Sequence, residues 1–154
     1  MKMKKRLISI AMAAVMAVGS IPAAGALLDG FNNTRTYSDQ FTDVPSTAWY
    51  YNSVKSAYEL GITAGTSASK FSPDQNLTTD QLTVFLARIH AAYHHNEIVE
   101  VQNPSSWTDK YYYYVEQYID SSYRDSIFGG RDNEQRWHFA YWISKALPDS
   151  AYTA

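Results

Sequence analysis

Thr78-Thr79-Asp80-Gln81-Leu82-Thr83-Val84-Phe85-Leu86-Ala87-Arg88-Ile89, residues 78–89, decides the fold of this 154-residue chain. Thr78 is placed to cap the backbone amide three residues on, and Gln81 to reach back to the amide of Thr78. This reciprocal pair starts a helix. Leu82, Phe85, Leu86 and Ile89 then recur at helical spacing and share one apolar stripe. The pattern predicts a helix over 79–94 with that stripe buried.

The stripe has an echo 57 residues on, in Phe139, Trp142, Ile143 and Ala146. It predicts a helix over 134–146, with Asp132 or Asn133 as its N-cap. Each of these helices follows an earlier one. Asp43, Pro45 and Ser46 precede Trp49, Val54, Ala57, Tyr58 and Leu60, which predicts a helix over 47–60, with Gly61 as a left-handed C-terminal cap. Asp109 precedes Tyr111 to Tyr114, Val115, Tyr118 and Ile119, which predicts a helix over 110–121. Val54 aligns with Val115 at a shift of 61. Gly65, Ser67, Ser69, Ser72 and Pro73 mark a loop within the first round, and Gly129-Gly130 one within the second. Pro104 and Ser105 mark the break between rounds. A recurring helix–loop–helix unit is a repeat signature. The expectation is an all-α fold of four main helices in two repeats, the second degenerate, with Phe139, Trp142 and Ile143 buried as well. Tyr111 to Tyr114 cover every face of a helical turn, so only part of that run can be buried.

The N-terminus reads as a targeting segment. Lys2, Lys4, Lys5 and Arg6 are followed by an uncharged apolar run, Leu7 to Val18, and by an A-x-A cleavage site at Ala24-Gly25-Ala26. The run is too short to span a bilayer comfortably. Residues 1–26 are therefore expected to be a signal peptide and 27–40 a polar linker. Cleavage would leave nine basic against 15 acidic residues, a net charge of −6. Such a chain is a poor nucleic-acid partner, because phosphate neutralisation needs clustered Lys and Arg. No second long apolar segment follows, so no membrane association is expected after cleavage. With no cysteine in the chain, disulfide and thiolate chemistry are excluded.

The chain resembles the S-layer homology family. The carrying blocks are Phe41-Thr42-Asp43-Val44-Pro45, Trp49-Tyr50, Gly61-Ile62-Thr63-Ala64-Gly65-Thr66, Phe71-Ser72-Pro73-Asp74 and Leu77-Thr78, in the family's order and spacing. They make residues 41–95 one full repeat. Gln135-Arg136-Trp137-His138-Phe139-Ala140-Tyr141 is similar to the family's Thr-Arg-Ala-Glu-Phe-Ala block, which makes 107–148 a degenerate second repeat. Residues 149–154 resemble the connector into a third repeat, which is absent; the expectation is a truncated chain, or one that self-associates to complete its grooves. The resemblance implies a three-repeat pseudo-trimeric spindle, here incomplete. It also implies non-covalent anchoring of an exported, Gram-positive cell-surface protein to pyruvylated secondary cell-wall polysaccharide. The arginine of the Thr-Arg-Ala-Glu block is implied as the carboxylate contact. Arg136 holds that place in the second repeat, whereas Thr79, followed by Asp80, holds it in the first.

Candidate polysaccharide-binding residues are Arg136, Trp49, Asp43 and Gly65. Arg136 gains nothing from the dipole at a helix start, which favours acids, whereas a guanidinium there can grip a carboxylate in a fork. For Trp49 the expectation is chiefly core packing, with a groove wall as the alternative. Asp43 reads first as a turn acceptor and Gly65 first as a backbone requirement. His90 and His94 share a helix face but lack a third ligand at a convincing spacing, so no metal or cofactor is expected. No nucleophile elbow, phosphate loop or dinucleotide fingerprint is present, so no enzymatic activity is expected. The alternative reading is a structural or partner-binding protein, or a non-binding fragment.

Overall fold

The structure is a computed structural model and describes residues 31–127 and 134–151. The segment read as a signal peptide, the Gly129-Gly130 loop and the expected caps Asp132 and Asn133 lie outside the described residues. Among the described residues the chain is helical and has no strand or sheet, as the sequence predicts. Its helices are α1 (Tyr51–Glu59), α2 (Thr79–His94), α3 (Asp109–Tyr118), α4 (Tyr123–Ser126) and α5 (Arg136–Ala146), followed by a 3-10 turn at Asp149–Ala151. The chain divides into two compact units, one ending at Asn76 and the next opening at Leu77.

In the first unit α1 starts later than the expected residue 47. The preceding residues are used in tight turns, with Ala48 N–H donating to the Pro45 carbonyl at 2.8 Å and Tyr51 N–H to that of Ala48 at 3.0 Å. The end of α1 is as expected. Gly61 has φ +78°, its N–H donates to the Tyr58 carbonyl, and Ile62 N–H donates to Ala57, both at 2.9 Å. This paired cap needs a left-handed residue, which glycine adopts without penalty.

The core of this unit is Tyr37, Phe41, Val44 and Val54, with Tyr50, Tyr51, Tyr58 and Phe71 packed on it. Phe41 meets the Tyr58 ring edge-on at 5.6 Å, a favoured aromatic geometry. Tyr37 comes from the stretch read as a linker. Thr34 N–H donates to the Glu59 carbonyl at 2.8 Å, the Arg35 guanidinium lies 4.8 Å over the Tyr58 ring, and the Tyr51 hydroxyl donates to Asp39. Residues 34–41 thus form a strap along α1.

In the second unit α2 starts with the expected capping box. Gln81 N–H donates to Thr78 Oγ1 at 3.3 Å, and Thr78 N–H donates to Gln81 Oε1 at 2.9 Å. α2 packs against α3 and α5, and α3 against α4. Leu82, Leu86, Ile89, Phe139, Trp142 and Ile143 are buried as expected, while Phe85 is only half-buried. Tyr111, Tyr112 and Tyr114 are all buried, leaving Tyr113 exposed. So much of the run can be buried because the inward hydroxyls have partners. Arg88 Nη2 donates to Tyr111 at 3.0 Å, Tyr112 donates to Asp80 at 2.8 Å, and Asn96 donates to Tyr114 at 3.1 Å. α4 was not expected. It places Tyr123, which is fully buried, edge-on against Trp142 at 4.5 Å, with its hydroxyl 2.9 Å from that of Thr83. α5 starts at Arg136, and its N-cap is Gln135, which makes no side-chain cap bond.

Candidate functional site

Three of the four candidate residues lie in the first unit. Asp43 accepts the backbone N–H of Phe71 at 2.9 Å and that of Ser72 at 2.8 Å. Burial works against its charge, but the two amides outweigh it and hold the carboxyl below the usual carboxylate range. Ser72 needs such a hold, since its φ is +63°, an uncommon conformation for a residue with a side chain. Gly65 belongs to the same corner. Its φ is +78°, and a Cβ there would come within 2.5 Å of both the Lys70 carbonyl oxygen and the Phe41 ring. Asp43 and Gly65 therefore shape the 65–72 turn around Phe41, in line with the structural readings of both.

Trp49 is 57% exposed and makes a T-shaped contact with the Tyr50 ring at 5.4 Å. The expected core role for Trp49 is thus corrected. Tyr37, Phe41, Val44 and Val54 fill the core instead, and the indole faces water.

Arg136 is the first residue of α5 in the second unit, and its side chain is exposed. Trp137 beside it is 71% exposed, and Tyr141 one turn on is exposed too. Thr79 is likewise the first residue of its helix, so the two positions correspond, but Thr79 is only 3% exposed. Its carbonyl accepts the Thr83 hydroxyl at 2.9 Å. The first-repeat position is therefore part of the packing as well as lacking a cation.

The sequence reading missed Trp107. This residue is 68% exposed and stands two residues ahead of α3, as Trp49 stands two ahead of α1. A Pro-Ser pair shortly before each tryptophan, Pro45-Ser46 and Pro104-Ser105, could have flagged the correspondence.

The His90 and His94 rings lie tilted against each other with centres 4.2 Å apart, and His90 Nδ1 lies 3.0 Å from the Tyr114 hydroxyl. Burial, then the neighbouring His94, push His90 down to about 4. Among the described residues no three His, Cys, Asp or Glu side chains gather as a metal ion would need. No helix among them is long and apolar enough to cross a membrane.

Residues 40–81 match the family model of the S-layer homology domain. An endoglucanase from Bacillus sp. (strain KSM-635) is 37% identical over 68 residues, which is 44% of this chain and 7% of that protein. An amylopullulanase from Thermoanaerobacterium thermosulfurigenes is 34% identical over 55 residues, or 36% of this chain and 3% of that protein. The chain thus spans a small fraction of the length of these relatives. No solved structure matches it.

Proposed function

We propose, from the match of residues 40–81 to the S-layer homology family model, that this chain is a non-covalent anchor that holds an exported protein on the bacterial cell wall by binding wall polysaccharide. S-layer homology domains are generally non-catalytic cell-wall anchoring modules. The single observation that carries the reading is the family match over 40–81. The two relatives are named for enzymes, but the aligned stretches are 7% and 3% of their lengths. Their activities supply no argument for catalysis here.

The finer proposal is a pyruvylated, acidic glycan. Arg136 supports it as an exposed guanidinium in the first turn of α5, suited to a carboxylate in charge-assisted, bidentate contact. Trp49 supports it as an exposed aromatic face on which a sugar ring can stack. Asp43 and Gly65 contribute by shaping the turn around Phe41. Export through the N-terminal segment and residence at the cell surface belong to the same proposal. A second reading, a structural or partner-binding protein that completes itself by self-association, is favoured by the buried, uncharged Thr79.

Retention on purified wall sacculi, before and after chemical removal of wall polysaccharide, separates the two. The anchor reading expects retention that disappears with the polysaccharide. Equal retention on stripped sacculi, or none on intact ones, overturns it.

A further inference from the structure

Glu134, just ahead of α5, and His138 and Trp142 within it follow one another at intervals of four residues and are joined by two hydrogen bonds. His138 Nδ1 lies 2.6 Å from Glu134 Oε2, and the Trp142 indole N–H donates to His138 Nε2 at 2.7 Å. An indole nitrogen can only donate, so Nε2 must be the accepting nitrogen. The proton of the neutral ring therefore sits on Nδ1 and points at the carboxylate. The chain is shielded from water at both ends, since the Glu134 side chain is 3% exposed and Trp142 is buried. A second proton on this imidazole has only Nε2 to occupy. It would set N–H against N–H at hydrogen-bond distance, and the indole would be left a buried donor without an acceptor. Glu134 accommodates the new charge as an ion pair, so the cost falls on Trp142.

We propose that Glu134, His138 and Trp142 form a proton-operated latch, which holds the Trp142 indole while His138 is neutral and releases it when His138 becomes an imidazolium. The release reaches beyond α5. Trp142 packs on Tyr123, whose hydroxyl meets Thr83 of α2. The turn bracketed by Glu134 and His138 is also the one that carries Arg136 and Trp137.

Among the described residues, Lys145 is the charged group over the indole itself, with its Nζ 5.4 Å from the centre of the Trp142 ring. α2 carries Asp80, which accepts the Tyr112 hydroxyl of α3, and His90, which is held at Tyr114. Asp120, after α3, pairs with Lys145 of α5 at 2.6 Å. Burial lifts Tyr112 to about 12. Burial first, with Tyr112, Glu134 and Asp80 behind it in that order, raises Tyr123 as well, against the hydrogen bond with Thr83. Neither phenol therefore titrates where an imidazole does. His90 on α2 is held down at about 4, so its own step falls at the acid end of the titration.

Nitrogen-edited NMR of the folded protein tests the latch from about pH 8 to about pH 4, a range that brackets ordinary imidazole titration. The expected result has three parts. The neutral His138 ring carries its proton on Nδ1. The Trp142 indole N–H resonance shifts in one step that shares its midpoint with the His138 ring signals. In His138→Gln, which cannot take up a proton, that step is lost. A neutral ring protonated on Nε2 overturns the proposal. So does an indole resonance that stays still while His138 titrates, or one that moves equally in His138→Gln. Should His138→Gln fail to fold, the tautomer and the shared midpoint in the unaltered protein decide alone.

Discussion

The Asp43 carboxylate ties the chain to the Phe71 amide across 28 residues and to the Ser72 amide beside it. Asp43→Ala leaves both donors without their acceptor and should cost about 1–3 kcal/mol, read as an earlier midpoint in urea titration. Because the folded carboxyl titrates below its unfolded value of 3.8, its stabilisation is present above that value. It is lost as pH falls through the folded value, and the Asp43→Ala protein should lack this acid-dependent component. Arg136 is a different kind of residue, since its exposed side chain leaves the helix independent of it. If the glycan carries a carboxylate, Arg136→Ala should lower wall affinity by about 1.5–3 kcal/mol, roughly ten- to a hundredfold. Far-UV circular dichroism should be unchanged, and equal retention of variant and unaltered protein would refute the role. Thr79→Arg is not a matching gain-of-binding test, because the site is buried and a guanidinium there would disrupt packing first. Trp49 shows where residue-level reading fails. Large aromatics usually dominate small cores, yet here neighbouring tyrosines and Phe41 fill the space and leave the indole outside.

Elements were legible in proportion to how many local signals agreed. α2 has a capping box, a clean apolar stripe and a length that matches its pattern, and both of its ends fall where the sequence predicts. Thr78→Ala should remove that cap at a cost of about 1 kcal/mol, measured as a lower thermal midpoint with the native spectrum retained below it. Replacement by Ser should restore most of the loss. α1 was legible only at its C-terminal end, where Gly61 leaves one solution; at its start Pro45 favours turns that composition alone does not distinguish from a helix. α4 could not be read at all. Four residues carry no period, and what fixes them is the distant fit of Tyr123 between Thr83 and Trp142. The candidate site was legible as residue types but not as roles, because whether a side chain is displayed or consumed in packing is decided by tertiary neighbours.

For the whole molecule, the resemblance to a three-repeat architecture leads to an expectation of self-association, and the exposed Trp49, Trp107 and Trp137 give it material to work with. Sedimentation velocity across a concentration series should show a mass that rises with concentration. A monodisperse monomer throughout would argue against that expectation. The strap at residues 34–41 has a consequence for modularity. The family match begins at residue 40, but Tyr37 is core and Thr34 and Arg35 hold the far end of α1. A graft of residues 40–81 onto a carrier protein would therefore bring the family signature without its own aromatic lid, exposing the rings of Phe41 and Tyr58. Such a transplant should be sticky and readily cleaved by protease, whereas one begun a few residues before Thr34 should travel as a self-contained cassette.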